Sequence, residues 1–186
     1  DVYKRQLLPR FLQQAGYATA HYGKWHLAND MIPDSPFPSE YGYDDYGSYN
    51  CAGPQMFVHD DVKSAIPFME KSHAAGKPFF INLWIHEPHT PFHVDPKLQK
   101  LFPDLEEADN IYAATLYHAD LRIGQLLDAL DRMKITENTL VIFSSDNGPA
   151  RGAPDSPITL MYDSATGPGY GIGGAKGITG GRRAFK

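Results

Sequence analysis

Lys24 and His26, which follow Gly23, are a pair of residues whose types suit chemistry on a charged group. Because they lie two residues apart, an extended backbone would place both side chains on the same face. A lysine ammonium can bind a sulfuryl or phosphoryl oxygen, and a histidine can transfer a proton near neutral pH. The structural alternative is a surface lysine beside a histidine at the edge of the core.

A second cluster contains His86 and His89, and Pro88 and Pro91 lie on either side of His89. Proline restricts the backbone, so it would set the direction of His89, as a site residue requires. A zinc site is a weaker interpretation, because a His-X-X-His pair is by itself a weak zinc signal. A hydrogen-bonded loop histidine is the structural alternative, and it suits His86 better than His89.

A third cluster, Asp146 and Asn147, supplies one carboxylate and one amide oxygen and is followed by Gly148. Hard cations such as Ca²⁺ and Mg²⁺ take oxygen ligands, and a glycine allows a sharp turn around the ion. The same three residues are also favourable in an ordinary turn. Two ligands are too few for a metal ion, so a site here needs oxygen ligands from elsewhere.

Three further features have weaker functional signals. Residues 164–181 are rich in glycine and lead to Arg182, Arg183 and Lys186. The P-loop spacing is absent, so we predict a mobile or metal-proximal loop rather than a phosphate cradle. The aromatic residues at 41–49 are predicted to pack within a loop, with a carbohydrate-facing wall as the alternative. We predict that Cys51 is inert, because nothing near it in the sequence lowers its pKa.

The elements that must position these clusters alternate between helices and strands. Hydrophobic patterns predict helices at 7–15, 61–75 and 110–133, strands at 17–22, 79–85 and 139–143, and a long ordered loop at 29–54. Asp60 is the predicted N-cap of the second helix. The last two strands are near-continuous apolar runs, which are typical of buried strands. This order predicts an α/β sandwich with a largely parallel sheet flanked by helices.

Each of the three polar clusters directly follows one of the predicted strands. In open α/β sheets, ligands bind at the carboxyl ends of the strands. The topology therefore predicts that the three clusters lie on one edge of the sheet, around one charged group.

Composition excludes several classes of protein. The chain has 186 residues and a formal net charge of -5, which argues against a nucleic-acid partner because such modules carry a surplus of Lys and Arg. Its one cysteine excludes an internal disulfide and a multi-cysteine metal site. No apolar run approaches the roughly 20 residues that cross a bilayer, so we expect no membrane span.

Taken together and in order, these motifs resemble the sulfatase family of the alkaline-phosphatase-like superfamily. The most specific match is residues 12–19 followed by Gly-Lys-Trp-His-Leu at 23–27. The apolar strand leading into Pro-His-Thr-Pro at 88–91 resembles the family's strand and histidine segment. Residues 112–130 and 141–148 resemble its long helix and its metal-binding Asp-Asn-Gly. The resemblance covers nearly the whole chain and implies the family's α/β fold.

The resemblance implies a role for the residues that match the family's motifs. Asp146 and Asn147 would be two ligands of an active-site Ca²⁺. Lys24 and His26 would contact the sulfate and the modified nucleophile.

Two further roles follow from the same resemblance. His89 would act at the leaving-group oxygen or bind the sulfate, and Lys186 would be a second sulfate-binding lysine. The implied substrate is a small-molecule or glycan sulfate ester, and the implied location is periplasmic or secreted.

The chain also departs from the family pattern. The family's nucleophile is a formylglycine made within a Cys/Ser-X-Pro/Ala-X-Arg motif upstream of Gly-Lys-Trp-His, and this sequence has no such motif. The paired N-terminal aspartates of the calcium site are also missing, since the pairs at 44–45 and 60–61 fall in the wrong place. Ala28 stands where the family usually has glycine.

From these departures we expect residues 1–186 to be a partial catalytic domain, cut at both ends and inactive by itself. The formylglycine would then lie outside it. Two alternatives stay open, namely a phosphodiesterase or phosphonate hydrolase of the same superfamily, and a non-catalytic calcium-binding relative.

Overall fold

The computed structural model describes residues 7–25, 27, 36–49, 57–148, 158–164 and 167–172. The chain divides into two compact units, Asp1–His86 with Arg122–Glu137, and Glu87–Leu121 with Asn138–Lys186. The helices are α1 (Leu8–Gln14), α2 (Asp61–Ala74), α3 (Pro96–Gln99) and α4 (Glu107–Met133), with short 3₁₀ turns at Pro38–Tyr41 and Thr136–Asn138. The strands are β1 (Ala18–Lys24), β2 (Asp45–Tyr49), β3 (Phe79–Trp84), β4 (Phe92–His93), β5 (Ile158–Ser164) and β6 (Gly167–Ile172).

The first unit contains a three-stranded parallel sheet in the order β2-β1-β3. Ala20 in the central strand lies opposite Asp45 on one side and Ile81 on the other. Parallel strands at the centre of such a sheet are covered on both faces. The predicted α/β class with a parallel sheet flanked by helices is therefore confirmed.

One face of this sheet packs against helices. Ala20 and Tyr22 of β1 form an apolar cluster with Ala65 and Phe68 of α2, and Ile81 of β3 packs against it. These strand residues are two apart, and successive side chains of a strand point to opposite faces. Burying one large apolar side chain in such a cluster contributes about 1.5–3 kcal/mol, so this face supplies much of the unit's stability.

The opposite face of the same sheet carries polar and aromatic side chains. Thr19, which is fully buried, donates from Oγ1 to the Gly42 carbonyl oxygen at 2.8 Å. The Asp44 carboxylate accepts the Thr19 amide at 3.0 Å, and the Asp44 amide donates to the Thr19 carbonyl oxygen at 2.8 Å. These bonds hold the chain before β2 against β1 and bring Tyr43 over this face.

The second unit contains a small antiparallel sheet in the order β4-β6-β5. Its core consists of Phe92, Val94, Ile111 and Ala114, which join β4 to the first part of α4. Within the described residues, no helix of either unit combines the length and apolar character needed to cross a membrane.

The predicted helices and the first two strands are confirmed within a few residues. Asp60 is the N-cap residue of α2, as predicted, but its side chain makes no capping bond, and the Val62 amide donates to Oδ1 of Asp61 at 2.7 Å. The burial predicted for the second strand is wrong. Most of β3 is half-buried rather than fully buried, and Trp84 is exposed.

Two regions predicted as loops contain strands. The region at 29–54 includes β2, which adds a parallel strand beside β1. The glycine-rich region at 164–181 includes β6, which pairs antiparallel with both β4 and β5. Both strands contain glycine and tyrosine but few aliphatic residues, so their composition did not indicate strands.

The predicted buried strand at 139–143 is wrong. The segment has no regular secondary structure, and the side chains of Leu140 and Phe143 are 85% and 82% exposed. A buried strand needs neighbours that pair with its backbone, and among the described residues this segment pairs with none. Apolar composition alone therefore does not produce a strand here.

Candidate functional site

Lys24 is the last residue of β1, at the carboxyl end of the central strand, and its side chain is half-buried. It lies opposite Tyr49, the last residue of β2. The next amide, that of Trp25, donates to the Tyr49 carbonyl oxygen at 3.0 Å. The predicted position of Lys24 at a strand end is thus observed in the parallel sheet of the first unit.

Gly23 sets the direction in which the chain approaches Lys24. Its φ is +105°, a left-handed value that side chains rarely adopt. A Cβ atom at this position would lie 2.0 Å from the Trp84 carbonyl oxygen of β3. Only glycine permits both the backbone angle and this close approach of two strands.

Three aromatic side chains surround the end of β1. Trp25 is 1% exposed, and its ring stacks with Trp84 at a centroid distance of 6.0 Å. Tyr43 meets Trp25 edge-on at 6.1 Å. We refer to His21, Lys24, Trp25, Tyr43 and Trp84 as the strand-end cluster. It confirms that aromatic residues of the 41–49 region are packed, as Tyr43 is buried.

His21 lies at the centre of the strand-end cluster and is fully buried. Its Nε2 atom is 3.2 Å from the Lys24 carbonyl oxygen, and its Nδ1 atom is 3.4 Å from Nδ2 of Asn82. Burial lowers the pKa of His21 from 6.5 to about 4, although hydrogen bonds to the Lys24 and Gly23 backbone oppose the shift. The ring is therefore neutral near pH 7.

Tyr43 shares the same polar partner. Asn82 Nδ2 donates to the Tyr43 hydroxyl at 3.2 Å. Burial raises the pKa of Tyr43, and the bond from Asn82 partly offsets the rise. A single amide thus joins two strands and the loop before β2 under the end of β1.

The other strand ends lie along the same edge of the sheet. The Tyr49 hydroxyl donates to the Trp84 carbonyl oxygen at 3.3 Å, and the Tyr49 ring meets His86 at a centroid distance of 5.7 Å. His86 is half-buried and follows β3, as predicted. Its ring contact fits the structural interpretation of this histidine better than a zinc-ligand role.

A buried ion pair in the first unit was not predicted from the sequence. Arg122 of α4 pairs with Asp61, and both side chains are almost completely buried. Arg122 Nη1 also donates to Nδ1 of His59 at 3.0 Å. Burial lowers the pKa of Arg122 to about 10, and the nearby Tyr49 and Asp60 oppose the shift. The signal that could have revealed it is an arginine on one helix face with Ala119 and Leu126, at spacings of three and four residues.

His89 belongs to the second unit and is exposed. Its Nδ1 atom donates to the Thr90 carbonyl oxygen, and the Glu87-Pro88 and Thr90-Pro91 peptide bonds are both cis. A proton on Nδ1 makes Nε2 the basic nitrogen of the neutral ring. Nε2 is therefore the atom that would accept or return a proton in a reaction.

Asp146 and Asn147 also belong to the second unit, and both are exposed. Asp146 Oδ1 accepts the Asn147 amide at 2.8 Å, and Asn147 Nδ2 donates to the Gly148 carbonyl oxygen at 2.8 Å. This is the turn that the sequence offered as the structural alternative. The oxygen ligands suit a hard cation, but Ca²⁺ takes six to eight of them, so this pair fits only as part of a larger set.

The structure describes four of the six predicted site residues. Lys24 lies in the first unit, whereas His89, Asp146 and Asn147 lie in the second. His26 and Lys186 lie outside the described residues, as does Cys51. That all six residues share one site stays a prediction.

Comparison with known proteins identifies the relatives of the chain. The model of the sulfatase family matches residues 3–179. Arylsulfatase G from Rattus norvegicus is 27% identical over 191 residues, which cover 76% of this chain and 35% of that protein. N-acetylgalactosamine-6-sulfatase from Canis lupus familiaris is 27% identical over 182 residues, which cover 79% of this chain and 33% of that protein. The chain thus spans about a third of the length of these relatives.

Solved structures share the fold. Ps i-CgsB superposes with a TM-score of 0.65 at 24% identity, covering 75% of this chain and 39% of that chain. The PsFucS1 sulfatase from Pseudoalteromonas sp. superposes with a TM-score of 0.60 at 23% identity, covering 76% of this chain and 37% of that chain. Because identity is low in both cases, these similarities establish the fold.

Proposed function

The chain belongs to the sulfatase family, and we propose that the intact protein hydrolyses sulfate esters. The observation that carries this proposal is the family match over residues 3–179, which includes Lys24, His26, His89 and the Asp146-Asn147 pair. The motifs occur together and in order, so the proposal does not depend on any one of them.

We assign Lys24 to the sulfate. Negative charge grows on the sulfuryl oxygens as the ester bond breaks, and a fixed ammonium group stabilises it. The strand-end cluster supports this role, because it holds the backbone of Lys24 by hydrogen bonds and buried rings. Lys186 is proposed as a second lysine that binds the sulfate.

We assign proton transfer to the histidines. His89 would protonate the departing alcohol oxygen through Nε2, since Nδ1 already donates to the Thr90 carbonyl. His26 would contact the sulfate and the nucleophile. Both roles suit imidazole, which changes charge near neutral pH.

A cation and a modified nucleophile are also part of the proposal. Asp146 and Asn147 would supply two oxygen ligands to Ca²⁺, which would neutralise charge on the sulfate when bound. The nucleophile would be a formylglycine from outside residues 1–186. Within the chain, the Asp146 turn holds one carboxylate oxygen on the Asn147 amide, which limits the directions the other can take.

Sulfated carbohydrates are the proposed substrate class. One relative is an N-acetylgalactosamine-6-sulfatase, and Ps i-CgsB has been solved in complex with k-i-k-neocarrahexaose. The exposed Trp84 and the half-buried Tyr49 lie at the same strand ends as Lys24. Aromatic side chains at this edge suit the apolar face of a sugar ring.

Turnover by the intact protein tests the proposal. We expect an aryl sulfate to be hydrolysed faster than the matching aryl phosphate, and Lys24→Ala to lower kcat/KM by roughly 10²–10³-fold. His89→Ala should lower kcat by roughly 10²–10⁴-fold. Lys71→Ala and His73→Ala, both exposed on α2, are the matched controls and should leave turnover unchanged.

Three results would contradict the proposal. Faster turnover of the phosphate ester would favour the phosphodiesterase alternative. Absence of formylglycine by mass spectrometry, together with absence of turnover, would favour a non-catalytic relative. Unchanged turnover in Lys24→Ala or His89→Ala would remove that residue from the site.

A further inference from the structure

We propose that His21 is a positioning residue for Lys24, and that the Nε2–H group of its neutral ring fixes the peptide bond that follows the lysine. The inference rests on the proposed function, because it concerns how the same site holds its sulfate-binding lysine. His21 itself would touch neither the substrate nor the reacting atoms.

The proton on Nε2 follows from the partner of that atom. The Lys24 carbonyl oxygen, 3.2 Å away, can only accept a hydrogen bond, so Nε2 must donate. In a neutral ring Nδ1 is then the acceptor. Asn82 Nδ2 lies 3.4 Å from Nδ1 and supplies the donor. The two neighbours thus specify one tautomer between them.

The bond from His21 completes a clamp on one peptide group. The carbonyl oxygen of Lys24 and the amide of Trp25 belong to the same planar unit. His21 holds the oxygen of this unit, and the Tyr49 carbonyl oxygen holds its N–H at 3.0 Å. Because both ends are bonded, the plane cannot rotate without breaking a bond, and the Cα atom of Lys24 is one of its corners.

The His21 ring itself has little freedom. It is fully buried and meets Trp25, Trp84 and Tyr43 at centroid distances of 4.8, 5.1 and 5.5 Å. Close-packed side chains of this kind rarely change rotamer. The clamp on Lys24 is therefore built from a side chain that is itself fixed by packing.

The role is positioning and not acid–base catalysis. Burial lowers the pKa of His21 to about 4, so the ring keeps one proton throughout the range near neutral pH. Among the described residues, the titratable side chain in ring contact with it is Tyr43, whose pKa burial raises, so Tyr43 is also neutral. Neither group is suited to exchange protons with a substrate at pH 7.

A double-mutant cycle in the intact protein tests the inference. His21→Phe keeps an aromatic ring and removes both hydrogen bonds, and we expect kcat/KM for a sulfate ester to fall roughly 10–100-fold, since small displacements of a site group cost about this much. In a Lys24→Ala background the same change should have less than about a twofold effect, because coupled residues are not additive. His73→Phe on the exposed side of α2 is the matched control.

Failures of the two proposals are distinguishable in this cycle. If Lys24→Ala alone leaves turnover unchanged, the role of Lys24 in the proposed function is wrong. If His21→Phe has the same effect with and without Lys24, the positioning role is wrong and His21 only stabilises the fold.

The protonation of the ring can be measured without any variant. ¹⁵N NMR of the wild-type protein should show an Nε2–H neutral ring for His21 from pH 6 to pH 8. In Asn82→Asp a carboxylate replaces the amide donor beside Nδ1, so we expect Nδ1 to carry a proton in that variant. An Nδ1–H tautomer or a charged ring in the wild type at pH 7 would overturn the inference even if His21→Phe does not fold.

Discussion

The strand-end cluster and the segment at 139–148 carry predicted site residues in opposite structural settings. Lys24 extends from a backbone held by buried rings and by hydrogen bonds to neighbouring strands. Asp146 and Asn147 lie in an exposed turn whose hydrogen bonds, among the described residues, join residues one or two positions apart. The first setting is built from residues far apart in sequence, and the second is local.

This difference shows what each segment needs in order to act. The position of Lys24 is determined by contacts within its own unit, including Asn82, which is 61 residues from His21. The hydrogen bonds of the Asp146 turn fix its local backbone conformation, but they do not connect it to other elements. We therefore expect substitutions in the first region to change the free energy of unfolding strongly, and substitutions in the second region to change it weakly.

The largest effect is expected at the buried ion pair next to β2. Asp61→Ala leaves Arg122 as an uncompensated buried charge, and the free energy of unfolding should fall by about 3–5 kcal/mol. Asp60→Ala keeps the Asp61–Arg122 pair and removes a partly exposed pair with Lys63 and a weaker attraction to Arg122, so it should cost only about 1 kcal/mol. Urea unfolding of both variants measures the contrast, and equal losses would contradict it.

Gly23→Ala should have the next largest effect on stability. The added Cβ meets the Trp84 carbonyl oxygen and requires a strained φ, so we expect a loss of about 3 kcal/mol. Gly16→Ala, also at positive φ but with nothing within 4 Å, should cost only about 1–2 kcal/mol. A Gly23→Ala loss no larger than that of Gly16→Ala would show that β1 and β3 separate easily.

Acid should destabilise the strand-end cluster through His21. Its pKa is 6.5 when unfolded and about 4 when folded, so the unfolded chain binds the proton first. The contribution of the neutral His21 ring to the free energy of unfolding is therefore fully present above pH 6.5, and it is lost as the pH falls toward 4. Between pH 7 and pH 5 the wild type should lose about 2 kcal/mol more than His21→Phe. Urea unfolding at the two pH values would refute this if both proteins lose the same amount.

The smallest stability effect is expected at Asp146. Because the side chain is exposed, Asp146→Ala without added cation should change the free energy of unfolding by less than about 0.5 kcal/mol. Calcium titration by calorimetry should nevertheless show weaker binding by the intact protein. Asp128→Ala, exposed on α4, should alter neither quantity. Unchanged calcium affinity in Asp146→Ala would exclude it as a ligand.

Local sequence patterns were sufficient for the helices and for β1 and β3. The apolar periodicity of α4 and the glycines after α1 and α2 are signals contained within a few residues. They were insufficient for β2, whose polar and tyrosine-rich sequence pairs with β1 because Asp44 and Thr19 join the two segments. A strand that depends on a distant partner leaves little trace in its own composition.

The site followed the same rule. The position of Lys24 at a strand end could be predicted, because strand and polar cluster adjoin in sequence. The His21–Asn82 contact and the Arg122–Asp61 pair could not, since each joins residues about 60 positions apart. The strand predicted at 139–143 was wrong because the prediction used composition alone. The segment is apolar, but no strand among the described residues pairs with it.

The amide of Asn82 also discriminates between alignments of β3 on β1. In the observed pairing Asn82 lies opposite His21 and reaches both His21 and Tyr43. A shift of β3 by one residue would turn this amide toward the apolar side chains of Ala65 and Phe68, and His21 Nδ1 would lose its hydrogen-bond donor. An amide left unbonded in that setting costs about 1–3 kcal/mol. One polar residue in an apolar strand therefore makes the shifted register less stable than the observed one.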